Sequence, residues 1–160
     1  MNLKPPVKGN SANPSQFCDT SLAKRAIETA REVLNFIEFS PPILRKTPHG
    51  EVSIEIPLMY NGYAIDRVHY DPQRRVFIPK GAPHHIRAQN VNLRSVIEES
   101  SRLLEELSIV EAVEYRGPEE AWVVPISWNV FIIAHIKITH DGKEIIPDYK
   151  LTEEVKKNVI

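Results

Sequence analysis

Apolar residues recur along the chain first at helical spacing and then in alternation, and this order occurs twice. The first helical stripe follows Asp19, Thr20 and Ser21, any of which can cap a helix, and we expect Pro41 and Pro42 to end that helix. The second stripe follows Asn92, a good capping residue. The two stripes contain Leu22, Ala26, Ala30, Val33, Leu34 and Ile37, and then Leu93, Val96, Ile97, Leu103, Leu104 and Leu107.

A region of alternating apolar and polar residues follows the first helix and predicts β-strands. Residues 52–56 have the period of a half-buried strand. Asn61-Gly62 predicts a tight hairpin turn, because both residues tolerate positive φ. Residues 63–70 and 76–78 then predict two further strands. Together with the second helix and later strands, this order predicts an α+β fold.

Prolines interrupt two of the predicted strand regions. Pro57 predicts an edge position or a bulge. Residues 121–139 are too many for one ordinary strand, and we expect Pro125 to break them. Residues 110–115 suggest a strand before that region. A short closing helix is predicted at 151–159, capped by Thr152.

The second half of the chain aligns with the first. Residues 56–79 match 124–147 without a gap at an offset of 68, and the helices at 23–34 and 93–104 match at an offset of 70. Shared apolar period and turn chemistry alone can produce such matches, but the coincident prolines and asparagines favour a true repeat. The identical pairs are Pro57/Pro125, Asn61/Asn129, Ile65/Ile133, Ile78/Ile146 and Pro79/Pro147.

We therefore predict two tandem, diverged α-β-β-β units related by an internal pseudo-twofold duplication. Antiparallel sheet would pack against two main helices. The first half covers about 19–82 and the second about 91–160, within one α+β domain at 19–160. Residues 1–18 predict an extended tail, because prolines and turn-forming residues dominate them.

Composition excludes several classes of protein. The one cysteine, Cys18, allows no intramolecular disulfide and no cysteine-based zinc site. No apolar run approaches the roughly 20 residues of a membrane helix, and residues 1–13 lack the apolar part of a secretory signal, so we expect a cytoplasmic protein. Glycine-rich phosphate loops are absent and the second helix is acidic, so we predict no cofactor and regard nucleic acid as an unlikely partner.

Charge is unevenly distributed along the chain, although its formal net value is only −1. Residues 61–96 contain six Arg or Lys and two acidic residues, whereas 97–120 contain eight Glu and two Arg. The basic segment of one subunit could contact the acidic segment of another. Our leading prediction is accordingly a binding or assembly module that acts through protein–protein contacts, as a homo-oligomer.

The strand at 63–70 supplies candidates for chemistry. Alternation places Arg67 and His69 on one face and Asp66 on the other, with Val68 and Tyr70. A carboxylate beside such an apolar face is a candidate general base, which makes Asp66 a weak catalytic candidate. The alternative is an ordinary solvated strand face.

Basic side chains around the loop at 80–87 indicate a site for an anion. Phosphate or carboxylate is the ligand that clustered Arg and His side chains bind, and we predict no metal. In the repeat, His135 is equivalent to Arg67, so these two could frame one ligand between the halves. The alternative function is a small-molecule enzyme or sensor for a phosphorylated or carboxylated ligand in that cleft. Its ligand-binding residues would be Arg67, Arg74, His84, His85 and His135.

Overall fold

The structure is a computed structural model that describes residues 19–87 and 90–158. The predicted tail at 1–18, with Cys18, lies outside the described residues. The described chain has an α+β fold of three α-helices and ten strands, and its strands pair in antiparallel fashion in two sheets. The predicted fold class and the antiparallel sheet are therefore confirmed. No helix in the described part is long and apolar enough to cross a membrane.

Each half begins with an α-helix followed by four strands, of which the last two form a hairpin. The first half comprises α1 (Thr20–Leu34), β1 (Glu38–Phe39), β2 (Ile43–Lys46), β3 (Glu51–Tyr60), β4 (Tyr63–Asp71) and β5 (Val76–Ile78), and β6 (Ile86–Arg87) follows it. The second comprises α2 (Leu93–Leu103), β7 (Leu107–Ile109), β8 (Glu114–Arg116), β9 (Ala121–Trp128), β10 (Phe131–Thr139) and α3 (Tyr149–Asn158). Short 3₁₀ helices occupy Leu104–Glu106 and Gly117–Glu119.

The two sheets have corresponding strand pairings. In the first sheet β3 pairs with β1, β2, β4 and β6, and β5 pairs with β4; in the second, β9 pairs with β7, β8 and β10. Pro57 faces Arg67 across the β3–β4 hairpin, and Pro125 faces His135 across the β9–β10 hairpin. Both hairpins shift register at the same place and turn through an asparagine with positive φ. At the offset of 68, the pairing of the second hairpin thus repeats that of the first.

The predicted interruption of the strands at the prolines is wrong, because β3 and β9 run through Pro57 and Pro125. The carbonyl of Pro57 accepts the Ser40 N–H at 3.0 Å, and that of Pro125 accepts the Val110 N–H at 3.0 Å. In each sheet the proline lies between two short neighbouring strands, β1 and β2 or β7 and β8. Neither short strand needs a hydrogen bond from the proline nitrogen at the position between them. The missing N–H therefore costs nothing, and the strand continues.

Helix ends also differ from the predictions. Asp19 caps α1 as expected, but the helix ends at Leu34, well before Pro41, because the chain must then turn to pair β1 with β3. Ile37 is buried although it lies beyond the helix. The closing helix α3 is capped by Asp148, whose carboxylate accepts the Leu151 N–H at 2.9 Å. Thr152, the predicted cap, lies inside the helix.

One continuous apolar core joins the two halves. Side chains of α1 and α2 pack with those of both sheets, and the buried members include Ala26, Val33, Ile56, Val96 and Trp122. A separate small cluster lies on the other face of the first sheet, where Leu151 and Val155 of α3 cover Ala64. The remainder of that outer face is polar, and the candidate site residues lie on it.

Candidate functional site

Strands β4 and β10 meet at the centre of the molecule, and we call this contact the seam. Two backbone-to-backbone hydrogen bonds join the halves beside it. The Lys80 N–H donates to the Ile132 carbonyl at 2.8 Å, and the Asp148 N–H donates to the Ala64 carbonyl at 2.8 Å. The donors Lys80 and Asp148 are 68 residues apart, and so are the acceptors Ala64 and Ile132. Each half therefore donates to the other from the equivalent position.

Asp66 lies in the seam and fastens it. One carboxylate oxygen accepts the backbone N–H of His135 at 2.8 Å and the Lys80 ammonium at 2.7 Å. The other accepts the Arg67 N–H at 2.7 Å. The strand register shifts at Ile65, immediately before Asp66, and the Asp66 carboxylate contacts the backbone of β10. With three donors on its carboxylate, Asp66 has the geometry of a structural clamp.

A cleft of about 330 Å³ opens beside Asp66 on the outer face of the sheet. It spans the seam, because Ile133 of the second half forms part of its wall. Three of the predicted site residues, Asp66, Arg67 and His84, line it together. We call it the histidine cleft, and its lining is Asp66, Arg67, His69, Pro79, Lys80, Gly81, Ala82, His84 and Ile133.

The second cleft, of about 630 Å³, lies on the other side of Asp66. Asp66 and Lys80 line both clefts. His135 lines only the second one, so Arg67 and His135 flank the same Asp66–Lys80 pair from opposite sides rather than framing one pocket. The wall contains Ile65, Asp66, Lys80, Arg116, Glu119, Ala121, His135, Lys137, Ile146, Pro147, Asp148 and Tyr149. Burial, together with the charge of Lys80, lowers the pKa of His135, against the opposing effect of Asp66.

Glu55 of β3 bonds two arginines behind the histidine cleft. In the sequence it was only a polar position in an alternating strand, so it was not predicted as a site residue. It is only 5% exposed. Its carboxylate accepts Nε of Arg45 at 2.9 Å and Nη1 of Arg67 at 2.7 Å. Arg45 also bonds Glu154 of α3. His69 lies 3.8 Å away, an electrostatic contact rather than a hydrogen bond.

The ionised state of Glu55 is strongly favoured. Burial alone would raise the pKa of this carboxyl group, but the contacts with His69 and Arg45 and the charge of Arg67 outweigh burial and lower the pKa to about 2. Arg67 is therefore held in place by a buried negative charge, and its guanidinium group borders the cleft.

Three histidine rings stack along the rim of the histidine cleft. The ring centroids of His69 and His84 are 4.0 Å apart, and those of His84 and His85 are 4.5 Å apart. Burial, then the charges of His69 and His85, lower the pKa of His84. His85, also predicted from the sequence, thus joins the group through its contact with His84.

Arg74 is not part of this group. It lies in the turn between β4 and β5, where its backbone N–H donates to the Asp71 carboxylate at 3.2 Å. It lines neither the histidine cleft nor the second cleft. The structure thus brings Arg67, His84 and His85 together, places His135 across Asp66 from them, and separates Arg74.

The opposite charges that suggested contacts between subunits are partly paired within the chain. Arg75 contacts Glu99 at 3.5 Å, and Arg31 contacts Glu111 at 2.7 Å. Glu119 pairs with Lys137 at 2.5 Å. Charge is consequently distributed more evenly over the folded chain than along the sequence.

Comparison of the chain with known protein families, curated proteins and solved structures found no match. Among the described residues, no group of three or more His, Cys, Asp or Glu side chains is arranged to hold a metal ion.

Proposed function

We propose that the protein binds a small carboxylated or phosphorylated molecule in the histidine cleft. The observation that carries the proposal is the convergence of Arg67, Lys80 and His84 on one concave site at the seam. These residues come from a strand, from the segment that crosses the seam and from a loop. Clefts between packed units, with a few convergent polar groups, are common locations of ligand sites.

The cations of the cleft have donors to offer a ligand. In the described part of the chain, the guanidinium of Arg67 bonds only Glu55, through Nη1, which leaves most of its five N–H donors for an oxyanion. Lys80 donates to Asp66 from one of its three ammonium positions. Such charge-assisted bonds are among the strongest that a surface cleft can provide.

The histidine stack would couple binding to protonation. The pKa of His84 is lowered by burial and by its histidine neighbours, so the ring is neutral at pH 7. A bound anion would offset the repulsion among protonated rings and raise that pKa. Binding should therefore take up a proton, and affinity should increase as the pH falls toward 6.

Calorimetric titration with pyrophosphate and with citrate, at low ionic strength, tests the proposal. His84→Gln should weaken binding about fivefold or more, because it removes a charge-assisted donor. His49→Gln is the matched control, since His49 is exposed in the turn between β2 and β3 and lies outside both clefts. Equal affinities for all three proteins, or no binding of either anion, would reject the site.

We also infer that the two halves descend from one duplicated unit. Support comes from the equal register of the hairpins, from the reciprocal bonds across the seam and from the shared positive φ of Asn61 and Asn129. The inference explains why the histidine cleft and the second cleft have equivalent walls. In this view the cleft residues diverged while the backbone frame was retained.

A homo-oligomeric assembly module is the second candidate function, favoured by an apolar hairpin tip. Val130, Phe131 and Ile132 are 83%, 46% and 40% exposed, and consecutive exposed apolar residues are typical of contact surfaces. Sedimentation velocity at low and high salt tests it. A dimer that Val130→Lys dissociates would support this function, and a monomer at every salt concentration would contradict it.

A cytoplasmic location stays a prediction from the sequence.

A further inference from the structure

A groove lined by four aromatic side chains lies where the end of α1 meets the β3–β4 turn and residues 143–149. Its volume is about 520 Å³. We call it the aromatic groove. Its lining is Thr29, Glu32, Val33, Phe36, Tyr60, Asn61, Tyr63, Lys143, Glu144, Ile145, Pro147 and Tyr149. It shares no residue with the histidine cleft, so it forms a separate candidate site.

The aromatic rings of this groove remain accessible. Phe36 is 71% exposed, Tyr149 64% and Tyr63 45%. The rings of Tyr63 and Tyr149 are nearly perpendicular, at 84°, with centroids 6.2 Å apart. An edge-to-face contact of this kind holds the two rings in a fixed relative orientation. Aromatic side chains usually bury most of their surface, so several exposed rings in one concave site indicate a binding role.

The elements that form the groove are fixed to one another. Thr29 of α1 donates its hydroxyl to the Gly142 carbonyl at 2.6 Å, and the Asp148 N–H bonds the Ala64 carbonyl at 2.8 Å. These bonds anchor residues 142–148 to both α1 and β4. The aromatic walls therefore come from elements whose relative positions are set before any ligand binds.

Two carboxylates give the groove a preference for positive charge. Glu32 and Glu144 line it, and within the described residues neither side chain takes part in an ion pair. Lys143 lines it too, so one cation is already nearby. The ammonium group of Lys143 is strongly hydrated. A cation that loses its water more easily would therefore compete well with Lys143 for the two carboxylates.

We propose that the aromatic groove binds a quaternary ammonium group. Aromatic faces attract such cations through the ring quadrupole, and the methyl groups of the ligand contact the rings without demanding hydrogen bonds. Glu32 and Glu144 add long-range attraction. The group could belong to a free small molecule such as choline or to a trimethylated lysine in a peptide, since both present the same chemistry.

The decisive comparison uses choline and its uncharged carbon isostere, 3,3-dimethylbutan-1-ol, in NMR titrations of the full chain. The two probes have the same shape, so only the charge differs. Choline should bind about two- to fivefold more tightly, which is the range that cation–π attraction at exposed sites provides. Equal affinities, or the absence of saturable choline binding, would overturn the proposal.

Variants locate the binding and identify its source. Phe36→Leu and Tyr149→Leu should each weaken choline binding about two- to fivefold, because leucine keeps apolar volume but lacks a ring face. Phe131→Leu is the control, since Phe131 is an exposed aromatic residue outside the groove. If the groove variants bind choline as the native chain does, the groove is not the site. Tighter binding of a trimethyllysine peptide than of choline would indicate a protein partner, and the reverse a free small molecule.

Discussion

The Asp66 carboxylate lies at the junction of the two halves and accepts three hydrogen bonds there. Strict alternation along the strand places Asp66 beside Val68 and Tyr70 and makes it a candidate base. The structure has a register shift at Ile65 beside it, and backbone and ammonium donors at the seam occupy its carboxylate. A bulge cannot be recognised from one strand alone, because it depends on the partner strand.

Replacing Asp66 by alanine should destabilise the fold. The change leaves the His135 N–H without its acceptor and removes two further bonds, so we expect a loss of about 2–3 kcal/mol in the free energy of unfolding. Urea denaturation measures this loss. Asp66→Asn, which retains one oxygen acceptor, should recover part of it. An alanine variant as stable as the native chain would show that the clamp has no structural role.

Glu55 should make the fold sensitive to acid. Its pKa is about 2 in the folded chain and near 4.5 in the unfolded chain, so its contribution is complete above about pH 5 and disappears as the pH falls toward 2. Glu55→Gln should therefore lower stability at pH 7 by about 3 kcal/mol and flatten the pH dependence of the unfolding free energy between pH 5 and 2. Glu28→Gln, at an exposed position on α1, is the control. Parallel pH profiles for the native and Glu55→Gln chains would contradict the assignment.

At the scale of elements, the sequence predicted features that depend on adjacent residues better than it predicted where helices and strands end. Asn61-Gly62, the Asp19 cap and the strand at 76–78 are confirmed, because each depends on residues next to one another in sequence. The effect of Pro57 depended on whether a neighbouring strand needed its N–H, and the end of α1 depended on the pairing of β1 with β3. Those are relations between distant segments, which periodicity does not contain.

The β9–β10 turn gives a test at this scale. Asn129 has φ of 60°, a conformation that glycine and asparagine adopt more easily than other residues. Asn129→Ala should lower the free energy of unfolding by about 1 kcal/mol, whereas Asn129→Gly should be close to neutral. Thermal and chemical unfolding of the two variants distinguishes them. Equal losses for alanine and glycine would mean that the asparagine side chain, rather than its backbone, matters.

At the scale of the whole molecule, the alignment of the two halves was the sequence feature most closely related to the proposed site. Arg67 and His135 are equivalent in that alignment, and the structure places both residues beside Asp66 at the junction of the halves. Arg74, chosen for its charge and its closeness in sequence to the loop, lies in a distant turn. The aromatic groove was not predicted, because its rings come from three separate segments of the chain.

The most direct test of the central claim is an NMR titration of isotope-labelled protein with pyrophosphate, at pH 6 and at pH 7.5. We predict saturable shifts centred on the amides of Gly81 and Ala82 and on the rings of His69 and His84, with the tighter binding at pH 6. Shifts confined to residues away from the seam, or binding that strengthens as the pH rises, would contradict an anion site in the histidine cleft.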